Sequence, residues 1–395
     1  MKKIVLIGLL LAASLFGADK ADKKDKIYRL KLAQSYEISM PVVGDVAKRV
    51  ADLADQMSGG RLKIGIDTPS KHKAAFEIYD LVSGGKYDMG YTAAYYYKDK
   101  NSANMLFTAV PFGMLKDEWR AWYDFGGGKQ LAEKFYAKSG LKVFNVLNSG
   151  VQMGGWFKKE INTPEDLKGL KFRISGLGAE VMNRLGVAVA TIPLNELQTA
   201  LQMGTIDAAE WASPALDMDL GFYKVANYYY TGWQEPASEQ QIVISLSAWE
   251  KLPADLRAIL DAAIAKVSEQ VQNGAFYKNA MLWDEMKKKY QDVQVRSFSP
   301  EIMRALRQAT DEILAEQSEK NPDFKEIWES QKAFLAKARA YSSAADFAYI
   351  EKTSAVEAEQ NFTASVKEIS VPQPAASAEI NASVASPKTE TNQTK

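Results

Sequence analysis

The chain has 395 residues, and its 49 Lys and Arg balance 49 Asp and Glu, so it offers nucleic acid no electrostatic foothold. It has no cysteine, which excludes disulfides and thiolate metal sites, while 47% apolar residues mark a globular chain. A chain this long usually splits its core, so two domains are expected.

Met1, Lys2 and Lys3 precede an apolar run over 4–16 and the small residues Gly17 and Ala18. That pattern reads as a secretory signal peptide over 1–18 and predicts export. A membrane anchor is the alternative, although the run falls short of the roughly 20 residues that span a bilayer. Residues 20–26 are a charged lead-in.

Alternation over 27–33 predicts a strand, and apolar spacing over 41–57 predicts a helix closed by Ser58, Gly59 and Gly60. A strand over 62–66, a helix over 74–82 and a strand over 88–92 follow. This alternation indicates an α/β unit with a mainly parallel sheet. Residues 93–98 (AAYYYK) leave the third strand, and ligands of open α/β sheets bind beyond such carboxyl ends. Tyr95 and Tyr96 therefore form either one lip of a cleft or part of the core. Residues 119–139 read as a helix interrupted by Gly126, Gly127 and Gly128. Lys129 and Gln130 come next, which is not a phosphate-binding loop.

A second α/β unit begins near 141–157. It continues through strands at 170–174, 187–192 and 206–212, with helices at 179–185 and 194–203 between them. Residues 228–230 make a further strand, and 241–246 return as a strand crossing back to the first sheet. Residues 254–290 carry one helical pattern, long enough to brace both units, and 300–317 and 324–349 add helices. From Thr353 the composition is Ala, Ser, Thr, Glu and Pro, which predicts a disordered low-complexity tail over 353–395.

Three stretches concentrate the chemistry. Arg173 stands near a strand end just before a Gly-rich helix start, where its planar fork and free backbone N–H groups suit a small carboxylate. Composition alone favours a surface salt bridge for it. Glu210, followed by Trp211, and Glu235 also follow strands; two such carboxylates either are solvated independently or share a cation. With the amide of Gln152 and a main-chain carbonyl the donors are all oxygen, which is hard-cation chemistry: Na+ or Ca2+ rather than zinc or copper. A hydrolytic acid–base pair has no supporting sugar-binding signature. His72, the only histidine, reads as a surface residue in a polar loop, and no GxSxG elbow accompanies it.

The segments EINTPEDLKGLKFRISGLGAEVMNRLG (160–186), LQTALQMGTIDAAEWASP (197–214) and YYYTGWQEP (228–236) resemble the extracytoplasmic substrate-binding proteins of TRAP transporters. The resemblance covers 27–349 and is nearest to the branch that binds 2-oxo acids or lactate with a cation. It implies two α/β domains with a ligand cleft between them and a long helix spanning both. It implies no enzymatic activity, a periplasmic location, a TRAP membrane permease as partner, and in some members a homodimer. By position, Arg173 would hold the substrate carboxylate, and Gln152, Glu210, the Trp211 main chain and Glu235 would surround one cation that also meets the substrate. Gln152 and Trp211 would touch the substrate as well, and Tyr95 and Tyr96 would form the opposite lip. Ala237 stands where glycine is expected, and either Gln234 or Glu235 faces the ion. The expected division is 27–150 with 241–295 for the first domain and 151–240 with 296–352 for the second. A secreted metal-dependent lyase acting on 2-oxo acids and a ligand-sensing module for a membrane receptor are the alternative functions.

Overall fold

The structure is a computed structural model that describes residues 26–190, 192 and 194–367. The expected signal peptide lies outside these residues. Among the described residues no helix is long and apolar enough to cross a membrane. The chain divides into two units, one through Arg339 and one from Ala340.

The first unit carries two sheets. Strands β1 (Tyr28–Gln34), β2 (Leu62–Asp67) and β3 (Met89–Thr92) alternate with helices α1 (Val46–Met57) and α2 (Ile78–Ser83). Helices α3 (Lys116–Phe125) and α4 (Gly128–Ala137) lead to β4 (Leu141–Asn148). Gly127, at φ +91°, takes the left-handed conformation that separates the two helices. The second sheet takes β5 (Gly155–Phe157), β6 (Lys171–Arg173), α5 (Gly176–Arg184), β7 (Ala188–Ala190), α6 (Leu194–Met203), β8 (Ala208–Ala209) and β9 (Tyr228–Tyr230). The chain then returns as β10 (Glu239–Ser245) and continues through α7 (Leu246–Lys251) and α8 (Ala254–Lys289). After β11 (Gln294–Arg296) come α9 (Pro300–Lys320) and α10 (Pro322–Ser342).

The first sheet has the order β2-β1-β3-β10-β4 and the second β11-β9-β5-β8-β6-β7. The expected crossing strand is present and is the one strand of the first sheet that runs against the rest: it pairs antiparallel with both β3 and β4, while β1, β2 and β3 pair in parallel as expected. The reason is its origin: β10 enters from the second sheet instead of from a βαβ crossover. β11 pairs with β9, which moves residues 294–295 from the expected first domain into the second sheet.

Side chains alternate between the faces of each sheet, as a pleat requires. Phe157, Ala208 and Tyr230 join one apolar cluster, whereas their neighbours Trp156, Ala209 and Tyr229 join another. The long helix α8 serves both sheets. Leu256, Leu260, Ile264 and Val267 lie in the core built on β1, β3 and β10, and Met286 lies in the core under Trp156 and Tyr229.

Glu239, at the start of β10, is wholly buried. It accepts a hydrogen bond from Asn148 Nδ2 at 2.8 Å and lies 3.2 Å from Arg120 Nη2. The two strands that connect the sheets are thereby tied at the point where they meet.

The second unit contains the end of α10, a π-helical turn at Ser343–Phe347 and α11 (Ala348–Lys367). The helix expected over 324–349 is present, with that π-helical turn inserted in it at 343–347. Residues 353–367, expected in the disordered tail, are helical; Ala, Glu, Gln and Lys among them favour helix by intrinsic propensity. The remainder of the expected tail lies outside the described residues.

Candidate functional site

Arg173 ends β6, whose neighbours β7 and β8 place Ala190 and Ala209 beside it. Only 3% of the residue is exposed. Its guanidinium donates to the main-chain oxygen of Glu210, and the Glu210 N–H donates back to the Arg173 carbonyl at 2.8 Å. The same guanidinium is 3.6 Å from the Glu210 carboxylate and stacks 4.8 Å from the Trp211 ring centre. Arginine's flat, weakly hydrated head suits this dry, aromatic setting.

Glu210 and Glu235 are 1% and 4% exposed. Burial first, then the charge of Glu235, raises Glu210 well above the usual carboxylate range, against the pull of Arg173. Burial pushes Glu235 up to about 7, opposed by Ser238 and Arg173. Two carboxylates held this way favour either a proton or a metal cation between them.

Gln152 is tied to the Glu235 segment through its backbone N–H, which donates to the Glu235 carbonyl at 2.9 Å. Its side-chain Nε2 donates to Ser149 Oγ at 3.0 Å. Gly232 permits this approach: a Cβ there would stand 1.7 Å from the Gln152 carbonyl oxygen. Gly232→Ala should therefore displace the segment around Gln152 and lower stability by at least the roughly 1–3 kcal/mol typical of overpacking. Urea unfolding checks this, and an unchanged midpoint would refute the tight approach.

Tyr95 and Tyr96 come from a short 3-10 turn, Ala94–Tyr97, directly after β3. Their rings meet edge to face at 4.7 Å, and Tyr95 Nα donates to Thr108 Oγ1 at 3.1 Å. Tyr95 also lies against the start of α5, where a Cβ on Gly176 would come 3.3 Å from its ring. Burial, then Tyr96, Glu235 and Glu210, raises the Tyr95 hydroxyl well above its ordinary range. The first sheet's tyrosines and the second sheet's Arg173, Glu210 and Glu235 thus face one another.

The unpartnered atoms define what this place can hold. Gln152 Oε1, Glu210 Oε1 and Glu235 Oε2 are buried acceptors without a hydrogen-bond partner, and Arg173 Nε and Trp211 Nε1 are buried donors without one. Three free oxygens fit a hard cation, and free donors beside them fit an anion. Among the described residues no group of three or more His, Cys, Asp or Glu stands ready for a metal, so an ion here needs the amide, a carbonyl or ligand oxygens as well. Gln234 is already occupied: it donates to the Met153 carbonyl at 2.8 Å, accepts from Trp233 N–H and supports the Glu210 carboxylate. Between Gln234 and Glu235, the free oxygen belongs to Glu235.

Sequence reasoning missed several neighbours. Tyr36 bonds Gln240, Tyr91 buries an unpartnered hydroxyl, and Trp233 buries an unpartnered Nε1. Asp217 supports the Trp211 loop by accepting from Ala212 N–H, Tyr229 and Trp156. These residues sit in aperiodic stretches, and only their aromatic or acidic character could have marked them. His72 is half-buried rather than a surface residue. It ends a one-turn helix, accepts from the Ala74 N–H and pairs with the Gln34 carbonyl at 3.0 Å, outside the site.

Residues 33–321 match the family described as bacterial extracellular solute-binding protein, family 7. A monocarboxylate 2-oxoacid-binding periplasmic protein of Nostoc sp. is 37% identical over 305 residues, covering 77% of this chain and 82% of the relative. A TRAP periplasmic solute-binding protein from Pseudoalteromonas atlantica, solved with bound sodium and pyruvate, is 45% identical with a TM-score of 0.81, covering 82% of this chain and 99% of that one. Another, from Colwellia psychrerythraea with bound calcium and pyruvate, is 45% identical with a TM-score of 0.82, covering 83% and 100%.

Proposed function

We propose that this chain, which belongs to the bacterial extracellular solute-binding proteins of family 7, binds a small 2-oxo or 2-hydroxy monocarboxylate together with one metal cation. It then delivers that solute to a TRAP membrane permease. The family and the relatives above are binding proteins, so the chain is not an enzyme, and the lyase alternative falls away. The observation that carries the reading is the set of free buried oxygens on Gln152, Glu210 and Glu235 beside the free Nε of Arg173.

Each residue has a part. Arg173 holds the carboxylate with its unpartnered edge. Gln152, Glu210, the Trp211 carbonyl and Glu235 hold Na+ or Ca2+, whose charge offsets two buried carboxylates and admits an anion beside them. Gln152 and Trp211 also border the ligand, while Tyr95 and Tyr96 close over it from the first sheet. The lobes we assign are 27–150 with 241–293 and 151–240 with 294–339, the boundary having moved with β11. Hinge closure of such lobes presents a new surface to a permease. Delivery to a receptor is the second reading; loss of uptake on deleting the permease separates the two. We assign the periplasm as the location, with cleavage near Ala18, which N-terminal sequencing of exported protein reads directly. A homodimer is tested by sedimentation, where a single species at monomer mass sets it aside.

Thermal melting of metal-stripped protein tests the binding reading. Ligand at 100 times its dissociation constant adds about 2.7 kcal/mol, which is about 4 °C for roughly 300 ordered residues. Pyruvate should produce that shift only with Na+ or Ca2+ present. A shift with C4-dicarboxylates and no cation dependence would discard the metal site.

A further inference from the structure

Three of the residues assigned to the cation, Gln152, Trp211 and Glu235, each have a neighbour in one hydrogen-bonded chain. Ala212 follows Trp211, and its N–H donates to Asp217 Oδ1 at 3.1 Å. The Ala212 carbonyl accepts from the N–H of Met153, the residue after Gln152, at 2.6 Å. The Met153 carbonyl accepts from Nε2 of Gln234, the residue before Glu235, at 2.8 Å. Asp217 stands at the end of this chain.

Asp217 is 1% exposed and makes no ion pair among the described residues. A carboxylate buried without a cation beside it is costly unless its oxygens are hydrogen-bonded. Both are. Oδ1 takes the Ala212 N–H, and Oδ2 takes the Trp156 indole N–H at 3.2 Å and the Tyr229 hydroxyl at 2.7 Å. Trp156 and Tyr229 belong to β5 and β9, so the second sheet itself fixes the carboxylate. The turn that carries it, Pro214–Asp217, is fastened to α8 by Asn279, whose Oδ1 accepts from the Ala215 N–H at 2.8 Å.

The Ala212 N–H and the Trp211 carbonyl are the two ends of one peptide group. In a trans peptide they point in opposite directions, and no cis peptide occurs among the described residues. Asp217 grips the N–H end, so the carbonyl oxygen faces away from it. Among the described residues no hydrogen bond ends on that oxygen. A carboxylate on the N–H also polarises the peptide and adds negative charge to its far end. Hard cations take such oxygens.

We propose, on the cation reading above, that Asp217 is a positioning residue for the ion. It aims and polarises the Trp211 carbonyl, and through Ala212 and Met153 it sets the backbone that carries Gln152. It is not a ligand, because both of its oxygens are already engaged.

Calcium titrated calorimetrically into the metal-stripped full chain, with pyruvate in excess, tests this beside melting of the stripped protein. Asp217→Asn keeps the shape but offers one acceptor oxygen to two partners that only donate. It should weaken calcium by about tenfold or more, as expected for loss of an outer-shell partner of a metal ligand. Tyr229→Phe removes a bond from the other oxygen of the same carboxylate. It should lower the melting temperature and leave calcium affinity at the parent's value. A purely structural Asp217 would move melting in both variants and calcium in neither. Should Asp217→Asn fold poorly, Asp217→Glu keeps the charge, shifts the grip by one methylene and should also weaken calcium. Parent-like calcium affinity in every folded Asp217 variant, or an equal loss in Tyr229→Phe, would overturn the positioning role and leave the cation reading in place. A parent chain that takes up neither calcium nor sodium would overturn that reading and, with it, the positioning role.

Discussion

Arg173→Ala is expected to weaken pyruvate binding by at least about a hundredfold. The guanidinium is 3% exposed and fixed from three sides: the Glu210 carbonyl accepts from it, the Glu210 carboxylate flanks it and the Trp211 ring covers it. Its Nε points to no protein acceptor. A hydrogen bond to a charged group contributes about 1.5–3 kcal/mol, and the fork offers two, so a loss of about 3 kcal/mol is the low end and corresponds to about two decades. Alanine also leaves the ligand carboxylate facing Glu210 and Glu235 with only the cation to offset them. Arg173→Lys keeps the charge but not the planar fork and should recover only part of the loss. Calorimetry in excess calcium measures both variants. Affinity in Arg173→Ala equal to that of the parent would mean the carboxylate binds elsewhere.

Glu210→Ala should cost more calcium affinity than the 10–100-fold lost when an outer-shell partner of a metal ligand is removed. Pyruvate binding should fall with it if, as proposed, the ion touches both protein and ligand. Glu235→Gln provides a test with opposite signs. In stripped protein it should melt at or above the parent's temperature, because two buried carboxylates without a cation oppose each other's charge. With calcium and pyruvate it should melt below the parent, because the ion loses a charged oxygen. A Glu235→Gln protein that is destabilised equally with and without calcium would mark Glu235 as a structural group and remove it from the cation site.

What the sequence could announce was the position of unusual residues at strand ends. Arg173, Glu210 and Glu235 each follow a short apolar run, and the structure brings them to one place because β6, β8 and β9 belong to a single sheet. Tyr95 leaves a strand of the other sheet, but local pattern alone does not separate a cleft lip from core, and its ring also packs against the core. The apolar period of α8 showed its length and its bracing role. Less legible was anything set by pairing across the chain. The direction of β10 depends on where the strand comes from, and the allegiance of β11 on a partner more than 60 residues away, neither of which leaves a mark in local alternation. Gln234 and Glu235 are adjacent and similar in shape; only the Met153 carbonyl decides which is spent. His72 sits between two lysines, so its neighbours predict solvent, yet a turn folds it back onto the Gln34 carbonyl.

The place of β10 between β3 and β4 bears on how the chain is made. A ribosome releases β1 to β4 by Asn148, but β3 and β4 do not touch each other in the sheet; the strand that joins them ends at Ser245. About 100 residues separate those points, which at 5–20 residues per second is roughly 5–20 s. Throughout that interval the nascent chain carries two open sheet edges and a core that cannot close. The amino-terminal part is therefore not a unit that matures first and waits for the rest. It is completed late, by a strand that arrives only after the second sheet has been synthesised, so a ribosome-bound chain stalled at residue 150 should be open to protease across β1 to β4.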